Sequence, residues 1–208
     1  LAESFNFMQT QLAHNDEARK AFISNVSHDF QSPLMNIQGY ADLLQSETVS
    51  DQERLEYSSI IDRESKRISN LTKQLLLLTS LDQATYPLKY KQVRIDEQMK
   101  EVIRKHRWRL SEREIELSYK LEEASAFVDE ELFVNVWDNL LSNAIKYTDA
   151  GGSVLITCRQ HAHCIEVQFK DTGIGMTPEA VEQVFERFYR VDEARKKDGT
   201  GLGLAIVK

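Results

Sequence analysis

The chain of 208 residues carries 33 acidic against 26 basic side chains, a formal net charge of −7 at neutral pH, with a pI near 5.3. That balance speaks against nucleic acid as a partner, because phosphate binding needs a basic face. No apolar run approaches the ~18 residues of a membrane-spanning helix, no signal peptide is visible, and the cysteines, Cys158 and Cys164, make no disulfide framework. Free thiols fit a reducing, cytoplasmic compartment. His161 and His163 lie between the cysteines, but the spacing is not that of a zinc site. The sequence opens on Leu1 and reads as a piece cut from a longer chain.

In chain order, Phe5, Met8, Leu12, Phe22 and Val26, then Ile37, Tyr40 and Leu44, recur at roughly half-heptad spacing and predict a helix to about Gln45. Inside it His28 stands beside Asp29, and Pro33 follows. A proline removes one N–H and crowds the carbonyl four residues back, here that of Asp29, so a bend one turn beyond His28 is expected. Histidine can act as nucleophile or proton carrier near neutral pH. After the polar break 46–51, Ser50 or Asp51 caps a second helix carrying Ile61, Ile68, Leu71, Leu75 and Leu78 and expected to run to about Ala84. Two long helices around a short break predict an antiparallel hairpin. A lone hairpin cannot bury both apolar seams, so two copies are expected to pair as a four-helix bundle, making a homodimer.

Pro87 ends the helical region and a mixed α/β pattern begins. Residues 89–95 read as a strand, 96–110 as a helix, 114–121 and 126–128 as strands, and 130–147 as a strongly apolar helix. Residues 154–159 and 165–170 alternate as a β-hairpin. Pro178 opens a short helix to Val184, the glycine-punctuated stretch 189–203 reads as a mobile loop, and a last helix starts at Gly203.

Three stretches of this second region carry chemistry. Asn139, Asn143, Lys146 and Tyr147 share one helix face. Amide oxygens suit Mg²⁺ when phosphates complete its shell, the lysine neutralises phosphate, and the tyrosine can cover a planar base. Asp171-Thr172-Gly173-Ile174-Gly175 follows a strand directly. Its glycines allow close backbone approach to a ligand, and Asp171 can accept a hydrogen bond from an amino group. Gly199-Thr200-Gly201-Leu202-Gly203-Leu204 opens a helix, where glycine-rich backbone cradles phosphate. It is neither a P-loop nor a dinucleotide fingerprint.

Taken together, these stretches resemble a sensor histidine kinase of two-component signalling. Ser27-His28-Asp29-Phe30-Gln31-Ser32-Pro33-Leu34 resembles the phosphoacceptor box, Asn139 to Tyr147 the asparagine box, and Asp171 to Gly175 the first glycine box. Phe185-Glu186-Arg187-Phe188-Tyr189-Arg190 resembles the phenylalanine box, and Gly199 to Leu204 the second glycine box. The five occur in family order. Ala2 to Met8 also resemble the last helix of a HAMP relay, which implies a membrane anchor in the full-length protein.

The resemblance implies an α + α/β architecture: a linker helix over 1–21, a dimerisation and phosphotransfer domain over 22–86, and an ATP-binding sandwich of the gyrase, Hsp90 and histidine kinase type over 87–208. It implies ATP and Mg²⁺ as cofactors and a homodimer that passes phosphate to the receiver domain of a response regulator. His28 would attack the γ-phosphorus, with Asp29 on its other ring nitrogen. Asn143 would hold Mg²⁺, Asn139, Lys146 and Arg190 would lie near the phosphates, and Tyr147 would flank the nucleotide. Asp171 would read the adenine amino group beside Gly173 and Gly175, and Gly199, Thr200, Gly201 and Gly203 would form the lid. Ser32, one turn after His28, stands where the family usually has Thr or Asn and implies a weak phosphatase. Two departures from the family pattern stand out. Asp, Phe, Gln and Ser replace the usual Glu-Leu-Arg-Thr after the histidine, and the ATP domain stops short of its last strand. The alternatives are a non-enzymatic dimeric scaffold that binds a regulator, which intact Asn143, Asp171 and lid glycines disfavour, and an ATPase of the gyrase or Hsp90 kind, which has no use for the His28 hairpin.

Overall fold

The computed structural model describes residues 2–46, 48–83, 86–191 and 199–208, with side chains from Lys20 onward. The chain divides into two compact units, 1–76 and 77–208.

Helix α1 (Ala2–Leu44) and most of α2 (Asp51–Asp82) build the first unit. The connection between them is fixed by its own chemistry. The Ser50 hydroxyl accepts from the Glu53 N–H at 3.3 Å, and the Glu53 carboxylate accepts from the Ser50 N–H at 2.9 Å. This reciprocal capping box satisfies donors that the start of α2 leaves without helical partners. Arg54 reaches back to the carbonyls of Leu44 and Ser46 at 3.2 and 3.3 Å. The rings of Tyr40 and Tyr57 meet at a centroid distance of 5.3 Å, so the helices run antiparallel.

Helix α1 continues through Pro33 without a break in its assignment. The expected irregularity beyond His28 therefore does not interrupt the helix. Proline forfeits one backbone hydrogen bond, and the Pro33 ring is fully buried, so packing offsets that loss. Leu71 and Leu78 are buried too, while Ile23, Leu34, Met35, Leu43, Leu55 and Leu76 remain exposed. Helix α2 is described to Asp82; its expected end at Ala84 lies outside the described residues.

The second unit holds β1 (Tyr90–Arg94), α3 (Ile95–Glu112), β2 (Glu116–Leu121), β3 (Ser125–Asp129), α4 (Glu130–Tyr147), β4 (Ser153–Gln160), β5 (Ile165–Asp171), α5 (Pro178–Gln183) and α6 (Gly203–Val207). β1 and β3 pair antiparallel as a ribbon, and a second sheet has the order β2-β4-β5. In that sheet β4 runs parallel to β2 and antiparallel to β5, with Ile156 opposite both Tyr119 and Phe169. β2 starts two residues later than expected because Glu114 has φ 54°. That left-handed residue belongs to a turn, and its carbonyl accepts from the Gly151 N–H at 3.1 Å.

The core lies between the sheet and two helices. Helix α3 buries Met99, Val102, Ile103 and Leu110, and α4 buries Trp137, Leu141, Ala144 and Ile145. Both stripes follow the helical period, and they pack with Val154, Ile156 and Cys158 of β4. One buried polar chain crosses this core: the Trp137 indole donates to Gln98 Oε1 at 2.8 Å, and Gln98 Nε2 donates to the Glu130 carbonyl at 2.9 Å. Burial in satisfied partners is what such groups require. The consequence for function is orientation. With its apolar stripe pinned, α4 turns its opposite face outward from the core.

Candidate functional site

That opposite face carries Asn139, Asn143, Lys146 and Tyr147, all half-buried. Asp129 starts the helix as its N-cap, accepting from the Leu132 N–H at 3.1 Å. Its other carboxylate oxygen accepts from the Lys89 N–H at 2.8 Å, and these backbone hydrogen bonds outweigh burial to hold the Asp129 carboxyl below its usual range. At the other end Lys146 Nζ donates to the Tyr147 hydroxyl at 2.8 Å and lies 4.5 Å from the centre of that ring. Burial pushes the Tyr147 phenol above its usual range, with the charge of Arg190 opposing. The phenol therefore stays neutral, an apolar ring with a polar tip.

The glycine stretches close on this face. A Cβ at Gly203 would stand 2.9 Å from Asn139 Oδ1, and one at Gly199 would strike the Lys146 ammonium. Gly201 has φ 67°, and a Cβ there would come within 2.7 Å of the Phe188 backbone. Phe188 is itself left-handed at φ 61° and donates its N–H to the Gly201 carbonyl at 2.9 Å. Non-glycine residues rarely adopt that conformation, so the phenylalanine box and second glycine box are locked in register. Thr200 Oγ1 accepts from the Leu202 N–H at 3.3 Å, shaping the turn into α6. The middle of the expected mobile loop, 192–198, lies outside the described residues.

The third wall comes from the end of β5. Asp171 Oδ1 accepts from the Gly173 N–H at 2.9 Å. A Cβ at Gly173 would stand 2.5 Å from the Tyr147 carbonyl, which accepts from the Ile174 N–H at 3.3 Å. Gly175 has φ 68° with open space around it. One face of α4, the end of β5 and the glycines Gly199, Gly201 and Gly203 come together, with Arg190 half-buried beside Tyr147. Among the described residues no group of His, Cys, Asp and Glu side chains could hold a metal ion. A cation here would rely on amide oxygens and on oxygens of its ligand.

His28 belongs to the first unit. Its side chain is 83% exposed while that of Asp29 is 15% exposed, with Nδ1 and Oδ1 3.6 Å apart. That is an ion-pair distance, longer than a hydrogen bond. Ser32 is exposed on the same helix.

One contact at the end of α4 has no signal in the sequence. Arg113, from the end of α3, donates through one guanidinium nitrogen to the carbonyls of Ile145 and Lys146 at 2.6 and 3.1 Å. No local pattern signals it, because its partners sit in another helix.

The first unit thus presents an exposed histidine beside a carboxylate, and the second a glycine-walled face of amides, ammonium and aromatic ring. Comparison with known proteins assigns both units. A model described as "His Kinase A (phospho-acceptor) domain" matches residues 18–84. One described as "Histidine kinase-, DNA gyrase B-, and HSP90-like ATPase" matches residues 128–208. The Heme sensor protein HssS of Staphylococcus saprophyticus is 33% identical over 204 residues, 98% of this chain and 44% of that protein. The Acinetobacter baumannii histidine kinase AdeS superposes with TM-score 0.71 over 86% of this chain and 83% of its own, at 22% identity, a likeness of fold. The crystal structure of full-length ShkA in complex with AMPPNP gives TM-score 0.65 at 28% identity, over 88% of this chain and 39% of its own. The chain belongs to the sensor histidine kinase family, carrying its phospho-acceptor domain and its ATPase-type catalytic domain. It spans less than half the length of the curated relatives it matches.

Proposed function

We propose that this chain is the cytoplasmic portion of a membrane-anchored sensor kinase that phosphorylates its own His28 from ATP and passes the group to an aspartate of a response regulator. The observation that carries the reading is the pairing of an exposed imidazole on α1 with the glycine-walled face of α4 in one chain. Nδ1 faces Asp29, so Nε2 is the nitrogen left to attack the γ-phosphorus in line. The bond to the β–γ bridging oxygen breaks and ADP leaves. Asp29 stabilises the positive charge that develops on the ring.

Asn139, Lys146 and Arg190 hold the phosphates, Tyr147 flanks the base, Asp171 accepts from the adenine amino group, and the segment around Thr200 closes over the ligand. Mg²⁺ would be held by the Asn143 amide oxygen together with phosphate oxygens, and its chemistry would be charge neutralisation. The protein's own contribution is mainly positioning. Six exposed apolar side chains on the hairpin support pairing of two copies as a four-helix bundle.

Incubation with γ-labelled ATP and Mg²⁺, followed by acid or alkali, tests the reaction type. The expected label survives alkali and is lost in acid, as a phosphoramidate should be. A label with the reverse behaviour, or none, contradicts the reading.

A further inference from the structure

The last turn of α4 carries Lys146 and Tyr147. The Ala144 carbonyl keeps an ordinary helical partner, the Thr148 N–H at 3.1 Å. The i+4 positions of the next three carbonyls lie outside the helix. That of Tyr147 accepts from the Ile174 N–H at 3.3 Å, and those of Ile145 and Lys146 both accept from Arg113. Ile174 belongs to the wall at the end of β5, whereas Arg113 brings a charge from outside the site. A cation at a helix C-terminus also meets the negative end of the helix dipole.

The turn that presents Arg113 is itself fixed. Its backbone N–H donates to the Arg109 carbonyl at 3.2 Å, and the left-handed Glu114 follows it, with its carbonyl bound to the Gly151 N–H. From that platform the guanidinium holds the carbonyl of the same Lys146 whose ammonium backs onto Gly199 and bonds Tyr147. We infer that Arg113 is a positioning residue for the nucleotide: it clamps the end of α4 so that Lys146 and Tyr147 are preset for phosphate and base. This inference rests on the proposed nucleotide site and adds a residue outside it. With the clamp gone the last turn frays, as unsupported helix ends do, and Lys146 and Tyr147 lose their shared orientation.

The test is calorimetric titration of the 208-residue chain with Mg²⁺ and the β,γ-imido analogue of ATP, well below the melting temperature. Arg113→Ala should weaken binding about tenfold, the size of one lost hydrogen bond. Arg113→Lys should fall between that variant and the parent, because a shorter point charge replaces the two-bond contact; it also serves if the alanine variant does not fold. In a Lys146→Met background, Arg113→Ala should cost less than half as much on a logarithmic scale, since part of what it positions is gone. A purely structural role would lower the melting temperature without that coupling. Unchanged affinity in both Arg113 variants, or fully multiplicative losses in the double variant, overturns the positioning role while nucleotide binding by the parent stands. Absence of saturable binding by the parent overturns the nucleotide reading and this inference with it.

Discussion

At single positions, what a side chain can do depends on what surrounds it. Ser27 spends its hydroxyl on the Ile23 carbonyl at 2.8 Å, the usual habit of a helical serine. Among the described residues the Ser32 hydroxyl makes no such bond, so it is available to a water beside His28. Serine lacks the methyl that stiffens threonine at χ1, which would make it a loose holder of such a water. Ser32→Thr should raise dephosphorylation of the phosphorylated regulator and Ser32→Ala should abolish it, with self-phosphorylation largely kept in both. Equal rates for all three proteins would leave Ser32 without a part in the chemistry. Gly201 gives a second prediction. A side chain there meets the Phe188 backbone and adopts a left-handed conformation costing about 1–2 kcal/mol. Gly201→Ala should therefore unseat the lid and weaken ATP binding on the order of tenfold, with little change in the melting of the rest. Undiminished affinity would show that the lid register is dispensable.

At the scale of elements, the periodicity of 139–147 was legible in the sequence because one helix face is fixed by local spacing, and so were the glycines that wall it. The contact of Lys146 with Gly199 and the clamp from Arg113 were not, since contacts between distant segments leave no local signature. The left-handed conformations of Glu114 and Phe188 were equally silent, neither being glycine or asparagine. At Pro33 the helix continues, and burial of the ring offsets the hydrogen bond that the proline forfeits, a compensation that local sequence does not show. Carboxyls held below their usual range give the second unit an acid sensitivity. Arg94 beside the start of α3 donates twice to Asp96 at 2.8 Å, holding that buried carboxyl at about 2. On α4, burial alone would raise Asp138, but hydrogen bonds from His106 and Lys105 hold it at about 2 as well. Both carboxyls sit below their unfolded values, so their stabilisation is complete above about pH 4 and is lost as pH falls toward 2. For Asp96 this is about 2 kcal/mol. Thermal melting should drop steeply across that window, and Asp96→Asn should flatten the drop while lowering stability at neutral pH. A melting temperature flat from pH 5 to about 2 would contradict the assigned pairs.

At the scale of the whole molecule, two units sit on one chain, and the exposed apolar side chains of the hairpin support a second copy. Sedimentation over a concentration series should show a dimer, and a monomer at high micromolar concentration would remove the bundle from the account. Transfer of phosphate from nucleotide at the α4 face to His28 is checked by labelling the parent chain and His28→Gln side by side with γ-labelled ATP, while titrating both with nucleotide. Equal nucleotide affinity and label on the parent alone are expected; a His28→Gln protein that still acquires acid-labile label would rule His28 out as the acceptor.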